Sequence, residues 1–346
     1  MQFALFSHVP WPEGIDPYRI ITETTEQAQY GEELGFQGVW LAEHHFSRYG
    51  LGSSSLILAA HIAARTSTIR LGTAVLVPPL HQPVRLAEDI AMLDLTSGGR
   101  VDVGFGRGSA GYEYHGFDLD RTESQERFQE SIRVLQGLWT TPEYSYAGKY
   151  CTVNQVSLVP PSIQKPHPPL YIAATRTPAT LEFAVSTGHP LMIGVVLDTA
   201  DALDLCHRFV RLSATAGHHV PMSRIPFSRY FYVAETAEQA HADTRKALEW
   251  TMDMIQWRAT FSAGSEVHHH LDDWRQRRTA LPTSYEYLAE HRAIFGTPAS
   301  CIAQIKALEA EGVAYFGCNF AFGGMEHHKI LRSMELFAKE VMPHFC

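Results

Sequence analysis

The chain has 346 residues, of which 45% are hydrophobic, so it can bury a large core without disulfide support. Its 28 Lys and Arg residues against 37 Asp and Glu residues give a net charge of −9, and no basic cluster stands out, so nucleic acid is not an expected partner. Five scattered cysteines argue against a disulfide framework or a zinc ribbon. The amino terminus lacks a signal-peptide pattern, and the most apolar helical stretch, residues 56–64, is too short to cross a bilayer. We therefore expect a cytoplasmic protein without a membrane segment.

Short apolar runs alternate along the chain with longer stretches of helical period, the pattern of repeated βαβ units. The predicted strands are residues 2–6, 38–42, 69–77, 101–105, 170–174, 191–196, 227–233 and 315–320. Helix starts are predicted at residues 53–55, Pro83 and Thr199. Three apolar stripes at helical spacing are Phe128, Ile132, Leu135 and Trp139, then Ala202, Leu205, Phe209 and Leu212, then Ile330, Met334, Phe337 and Val341.

Eight strand-then-helix units with right-handed crossovers favour an α/β fold, a (β/α)₈ TIM barrel that occupies residues 1–346 as a single domain. An open doubly wound sheet has the same local pattern and stays the alternative fold. Residues 257–291, between the seventh and eighth predicted strands, are polar and break the alternation. We interpret this insertion as a candidate lid, because long irregular segments in compact domains are usually functional.

The second predicted strand ends in a Glu-His-His-Phe sequence, residues 43–46. In a barrel of this class the reactive groups project from the carboxyl ends of the strands, so Glu43, His44 and His45 would lie at its mouth. Histidine suits proton transfer near neutral pH, and a nearby carboxylate can select its tautomer. The competing interpretation is that these histidines only hydrogen-bond a loop.

The fourth predicted strand runs into a glycine-rich segment, residues 104–109, that contains Arg107. Small residues allow a ligand to approach the backbone, and the guanidinium can form a planar fork with phosphate or a carbonyl. The glycine spacing does not match a dinucleotide-binding Rossmann fingerprint. This segment therefore indicates ligand contact without identifying the ligand.

Hydroxyls and a cation follow the fifth predicted strand, where Thr175, Arg176, Thr177 and Thr180 approach a predicted helix start. Such an arrangement suits a phosphate group. The alternative is that Thr177 is an ordinary N-cap before a proline at the first helical position. Residues 72–79 of the third strand are small or aliphatic and suit one face of a flat ring, although barrel-core packing explains them equally well. The histidine clusters have no recognised ligand spacing, so no metal site is predicted.

Several short motifs occur together, mainly over the first third of the chain. They include residues 32–36 (EELGF), Trp40, residues 43–46 (EHHF), residues 72–73 (GT), residues 83–85 (PVR), Asp94, residues 99–100 (GR) and residues 107–108 (RG). With these motifs the chain resembles the bacterial luciferase family of flavin-dependent monooxygenases, and most of all the alkanal monooxygenase chains. The ATRT segment that ends at Thr177 fits the wider family, although Arg176 stands where luciferases have an acidic residue.

The resemblance implies a barrel that binds FMN, which a separate flavin reductase supplies in reduced form, and a homodimeric assembly. Oxygen would add to the reduced flavin to give a C4a hydroperoxide, which oxidises a small or medium-sized apolar organic substrate. The matching positions assign acid/base catalysis to His44 and support of the flavin ring to Ala74 and Val75, through a cis peptide bond between them. The phosphate would be held by Arg107, Thr175, Arg176, Thr177 and Thr180. The expected substrate pocket contains Glu43, His45, Phe46 and Tyr112.

Three other functions remain open at this point. The same barrel could serve a deazaflavin-dependent hydride-transfer enzyme, which needs no oxygen. It could belong to a flavin-binding protein without turnover. A metal-dependent barrel hydrolase that uses the histidine clusters is the third alternative.

Overall fold

The computed structural model describes residues 1–175, 177–260 and 284–345 of the chain. The strands of the described residues are β1 (Gln2–Ser7), β2 (Gly38–Leu41), β3 (Arg70–Leu76), β4 (Val101–Phe105), β5 (Tyr144–Ala147), β6 (Thr152–Val156), β7 (Leu170–Ala173), β8 (Leu191–Met192), β9 (Phe227–Val233), β10 (Ala293–Gly296) and β11 (Tyr315–Ala321). The helices are α1 (Pro17–Glu33), α2 (Ser55–Ala63), α3 (Pro83–Thr96), α4 (Gly111–Gly116), α5 (Ser124–Thr140), α6 (Pro178–Thr187), α7 (Thr199–Thr215), α8 (Ala237–Thr260), α9 (Tyr285–His291), α10 (Pro298–Ala310) and α11 (His327–Glu340).

Within the described residues, nine parallel strands form one sheet in the order β10-β9-β11-β1-β2-β3-β4-β7-β8. An isolated parallel bridge between Ile193 and Phe227 connects the end of β8 to the start of β9. In that bridge Ile193 accepts a hydrogen bond from the Ser228 amide at 2.8 Å. Eight strands are thereby linked in the order that a (β/α)₈ barrel requires, and β10 pairs with β9 beside them.

All eight predicted strands are present, but the structure differs from the prediction in three places. The sixth strand, predicted over residues 191–196, is only two residues long, because the chain turns toward α7 directly after the bridge at Ile193. The antiparallel hairpin of β5 and β6 and the short strand β10 were not predicted. The hairpin is short and half exposed, so its residues lack a continuous buried run that would reveal it in the sequence.

The predicted apolar stripes of α5 and α11 are confirmed, because all their members are buried. The stripe predicted for α7 is wrong at two positions. Leu212 is 39% exposed and Leu205 is half-buried, whereas Cys206 and Ser213 are buried instead. The buried face of the helix is formed by Ala202, Cys206, Phe209 and Ser213. Thr199 begins α7 as predicted.

The strand packing depends on one glycine directly beneath a tryptophan. Trp40 in β2 is almost completely buried, and its Nε1 donates a hydrogen bond to the Tyr315 hydroxyl at 3.0 Å. A Cβ atom on Gly72, in the neighbouring strand β3, would lie 2.2 Å from the Trp40 ring. Because glycine has no Cβ atom, the indole of Trp40 can pack directly against the backbone of β3.

The structure describes the two ends of the predicted insertion, residues 257–260 and 284–291. Its ends, the last turn of α8 and the helix α9, belong to the described residues, and residues 261–283 lie outside them. The lid function stays a prediction. No helix in the described part of the chain combines the length and the apolar character needed to cross a membrane.

Candidate functional site

The carboxyl ends of β2, β3, β4 and β7 meet at one end of the sheet and enclose a cleft. It is lined by Glu43, His44, Val75, Val77, Gly106, Arg107, Gly108, Ser109, Glu113, Ala173, Thr175, Thr177, Thr180 and Arg258. These strands are neighbours in a parallel sheet, so residues that are far apart in sequence reach the same rim. The predicted catalytic residue, His44, and most of the predicted flavin contacts therefore share one cleft.

The end of β3 forms an apolar wall of this cleft. The peptide bond between Ala74 and Val75 is cis, as predicted from the resemblance. The Val75 carbonyl accepts a hydrogen bond from the Glu43 amide at 3.2 Å, which anchors it to the end of β2. A Cβ atom on Gly106 would lie 2.5 Å from Val75 Cγ2, so a glycine lets β4 approach this wall closely.

The Glu43 carboxylate is fully buried behind this wall, where it acts as a hydrogen-bond acceptor. It accepts from His45 Nε2 at 2.8 Å, from His81 Nε2 at 2.9 Å and from the Val77 amide at 3.1 Å. Burial alone would raise the pKa of Glu43, but the hydrogen bonds from His45 and His81 lower it to about 2. Glu43 is therefore an anion that holds the ends of β2 and β3 together.

His44 lies between a carboxylate and a guanidinium. Its Nδ1 is 3.4 Å from Glu113 Oε1 and 3.3 Å from Arg258 Nη2. Burial and the positive charge of Arg258 lower the pKa of His44, and Glu113 opposes them in part. The His44 ring also stacks on His8, with centroids 5.8 Å apart, and its other nitrogen, Nε2, takes part in no hydrogen bond between described residues. The imidazole is thus held in its neutral form, with Nε2 available for proton transfer.

Polar groups from three elements gather at the opposite side of the cleft, around Arg107. The Arg107 guanidinium donates to the buried Ser124 hydroxyl at 2.9 Å and to the Thr177 hydroxyl at 3.4 Å. Thr177 is the N-cap residue of α6 and Pro178 is the first helical residue, as the alternative interpretation predicted, although the Thr177 side chain makes no capping hydrogen bond. The Thr180 hydroxyl, at the first turn of α6, donates to Gln125 Oε1 at 3.1 Å.

This polar cluster suits a phosphate group. Arg107 supplies positive charge and donates to the hydroxyls of Ser124 and Thr177, and the Thr180 hydroxyl lies in the first turn of α6. Gln125 Nε2 is buried and has no hydrogen-bond partner among the described residues. A buried donor without a partner is costly, so a ligand oxygen at this position would satisfy it. Together with the apolar wall at Val75, the cluster fits a flat ring that carries a phosphate, as FMN does.

Three predicted substrate-pocket residues lie outside the cleft wall formed by the described residues. His45 is buried and points to Glu43 and to the ring of Phe117. Phe46 is 38% exposed and packs on His45 and Phe117. Tyr112 is buried, donates to Ser47 and accepts from Arg258 Nε at 2.9 Å. Glu43 does line the cleft, although its carboxylate is used by the neighbouring histidines and the Val77 amide.

Of the residues predicted to hold the phosphate, four line the cleft and one lies outside the described residues. Arg107, Thr177 and Thr180 form the polar cluster, and Thr175 lines the cleft as an exposed side chain. Arg176 lies outside the described residues, so its predicted contact with phosphate stays a prediction. The described residues contain no group of three or more His, Cys, Asp or Glu side chains arranged to hold a metal ion.

Sequence reasoning missed Glu113, Arg258, Ser124 and Gln125. Glu113 is 69 residues and Arg258 is 214 residues from His44 in the sequence, so no local spacing joins them. Ser124 begins α5 and reads as an ordinary helix start. The acidic residue shortly after the glycine-rich segment, Glu113, was the local signal that could have been found.

The family model of luciferase-like monooxygenases matches residues 1–315. The chain belongs to the luciferase-like monooxygenase family. It is 26% identical over 358 residues to the oxygenase component of flavin-dependent trigonelline monooxygenase from Acinetobacter baylyi, covering 100% of this chain and 96% of that protein. It is also 26% identical to the alkanal monooxygenase alpha chain of the Kryptophanaron alfredi symbiont, with 99% and 98% of the two chains covered. The resemblance found in the sequence is therefore confirmed.

Among solved structures, monooxygenase RslO1 from Streptomyces bottropensis matches with a TM-score of 0.87 at 26% identity over the full length of both chains. The oxygenating constituent of 3,6-diketocamphane monooxygenase from Pseudomonas putida, solved with FMN, shares the fold with a TM-score of 0.82 at 18% identity, covering 100% and 99%. An F420-dependent secondary alcohol dehydrogenase shares it with a TM-score of 0.76 at 17% identity, covering 100% and 99%. These matches confirm the TIM-barrel fold class, and family membership supports an oxidoreductase of the flavin-dependent monooxygenase type.

Proposed function

We propose that this chain is the oxygenase component of a two-component monooxygenase. It would take reduced FMN from a separate flavin reductase and use O₂ to oxidise a small or medium-sized apolar organic substrate. The oxygenation would follow the flavin C4a-hydroperoxide chemistry that the family resemblance implies. The relative from Acinetobacter baylyi is itself an oxygenase component, which supports the reductase as a partner. The arrangement of His44 and the Arg107 cluster in one cleft, with the Val75 wall, is the observation that carries the proposal.

The chain's own residues have three tasks in this proposal. Arg107, Thr177 and the first turn of α6 would bind the phosphate, with Ser124 orienting the guanidinium through its hydroxyl. Val75 would support one face of the flavin ring. The bound flavin supplies the oxygen chemistry, and the protein positions it and keeps water away from it.

His44 would hold or move the proton at Nε2. Its Nδ1 is occupied by Glu113 and Arg258, so Nε2 is the nitrogen that can exchange a proton with a bound molecule. The lowered pKa keeps the ring neutral near pH 7, so Nε2 can present its proton to a bound molecule, and a second proton taken up by the ring goes to Nδ1.

We further propose a homodimer that is formed through α2 and α3. These helices pack together, and their outer faces carry exposed apolar side chains: Ile57 is 72% exposed, Met92 is 51% exposed and Leu95 is 37% exposed. Exposed apolar residues on adjacent helices suit burial against a second copy.

The test is an anaerobic titration of the purified protein with reduced FMN or reduced deazaflavin, followed by admission of oxygen. We expect tight binding of reduced FMN and reoxidation of the bound flavin in two spectral phases, in place of the single phase of free reduced FMN. Binding of reduced deazaflavin with no response to oxygen would instead establish the hydride-transfer alternative. Binding of FMN with the reoxidation kinetics of free FMN would indicate a flavin-binding protein without turnover.

A further inference from the structure

Arg258, near the end of α8, lines the cleft and contacts His44. Its Nε donates to the Tyr112 hydroxyl at 2.9 Å, and its guanidinium lies over the Tyr49 ring, 4.3 Å from the centroid. Its Nη2 is 3.3 Å from His44 Nδ1 and 3.5 Å from Glu113 Oε1. The side chain is only 14% exposed, so these contacts are made in a largely water-free setting.

Arg258 and Glu113 make opposite demands on the same nitrogen. A guanidinium can only donate hydrogen bonds, so its contact with Nδ1 requires a lone pair there and places the single ring proton on Nε2. A carboxylate can only accept, so the contact of Glu113 with Nδ1 requires a proton on Nδ1, as in the imidazolium. Each partner therefore favours a different protonation state of His44.

The other titratable groups near His44 do not set its protonation state in the way that Arg258 and Glu113 do. His8, at the end of β1, stacks on His44. Its Nε2 forms a hydrogen bond with the Tyr49 hydroxyl, and its Nδ1 forms one with the Asn319 side chain. Burial, His44 and Arg258 lower the pKa of His8 well below its ordinary range, so His8 adds no positive charge near neutral pH. The Glu43 carboxylate is engaged by hydrogen bonds from His81 and His45. The Tyr49 and Tyr112 hydroxyls are held protonated, because burial raises the pKa of both groups.

We propose that Arg258 is a positioning residue that selects the neutral His44 tautomer with its proton on Nε2, and that Glu113 stabilises the imidazolium when His44 takes up a second proton. The consequence for turnover depends on the proposed function. The claim about the protonation of His44 does not, because it follows from the contacts of the protein alone.

The test is histidine side-chain NMR on the full chain labelled with ¹⁵N histidine, in which the His44 signals are assigned by their loss in His44→Gln. We expect the wild type to carry the Nε2 proton near neutral pH. Arg258→Gln should raise the pKa of His44 and increase the Nδ1-protonated form, because the competing cation is gone. Glu113→Gln should shift the pKa in the opposite direction.

Arg258→Lys and Tyr112→Phe extend the test to variants that change less of the structure. Lysine keeps the positive charge, so the pKa of His44 should stay closer to the wild-type value than in Arg258→Gln. Tyr112→Phe removes a partner of the guanidinium and should raise the pKa by less than Arg258→Gln does. The remaining histidine signals report on folding. If Arg258→Gln does not fold, the pKa of His44 in Arg258→Lys and Tyr112→Phe tests the proposal in its place.

The proposal is overturned if Arg258→Gln leaves the pKa and tautomer of His44 unchanged in a folded protein, or if the Arg258 and Glu113 variants shift the pKa in the same direction. The pH profile of turnover separates this inference from the proposed function. Opposite NMR shifts with an unmoved pH profile would support Arg258 as the residue that selects the tautomer and would count against His44 as the catalytic group.

Discussion

His81 Nε2 donates to the Glu43 carboxylate and lies 2.9 and 3.0 Å from its two oxygens. His81 follows a single turn of 3₁₀ helix at the end of β3, whereas Glu43 directly follows the end of β2. The same carboxylate also binds the Val77 amide. The pair therefore secures the segment that carries the proposed flavin wall.

This pair predicts a pH-dependent contribution to stability. Burial opposes the shift, but hydrogen bonding and the charge of Glu43 raise the pKa of His81 above 6.5, so its contribution is complete below 6.5 and is lost as the pH rises through the raised value. The pKa of Glu43 falls from 4.5 to about 2, so its contribution is complete above 4.5 and is lost as the pH falls toward 2. Both contributions are complete between pH 4.5 and 6.5.

We expect His81→Gln to lower the free energy of unfolding by about 1.5 to 3 kcal/mol at about pH 5.5 and by less at about pH 9. Urea denaturation at both pH values measures this, with the exposed His61→Gln as the control. Equal losses at the two pH values would contradict an ionic contribution from the pair.

Arg107→Gln should weaken FMN binding and leave riboflavin binding unchanged, because riboflavin has the same ring and no phosphate. A charge-assisted hydrogen bond of about 1.5 to 3 kcal/mol corresponds to a loss of about 10- to 100-fold in affinity. Flavin fluorescence titration of both compounds measures the difference, and Arg121→Gln, at an exposed arginine outside the cleft, is the matched control. If riboflavin loses as much affinity as FMN, Arg107 does not act on the phosphate.

His44→Ala should retain FMN binding and lose turnover by about 10² to 10⁴-fold, the usual scale of acid/base catalysis. The imidazole lies at the cleft but is not part of the phosphate cluster, so binding and turnover should separate. Product formation with a supplied flavin reductase measures turnover, and His115→Ala, at an exposed histidine on α4, is the control. Undiminished turnover in His44→Ala would remove His44 from the catalytic role.

Ile57→Glu should convert the proposed homodimer to a monomer. Burying an isoleucine stabilises an interface by about 1.5 to 3 kcal/mol, and a buried carboxylate without a partner reverses that gain. Size-exclusion chromatography with light scattering measures the mass, and Tyr18→Glu is the control, because Tyr18 is at least as exposed, at 77%, but lies on α1. A mass that does not respond to Ile57→Glu would place any self-association elsewhere.

The strand positions could be read from the sequence because each depends on a local property. A short apolar run such as residues 38–41 reads as a buried strand wherever it is placed, and the helical spacing of Phe128, Ile132 and Leu135 sets which face of α5 is buried. The parallel order then brings the ends of these strands to one rim. His44 and Arg107 could therefore be assigned to one site from sequence alone.

The direction of each side chain at that rim was decided only by the tertiary structure. His44 and His45 are adjacent in sequence, yet one lines the cleft and the other points to the buried Glu43 carboxylate. The partners of His44, which are Glu113 and Arg258, come from α4 and α8, and their approach depends on how those helices pack over the barrel. Local periodicity carries no information about contacts between distant elements, because these are set by the packing of the whole chain.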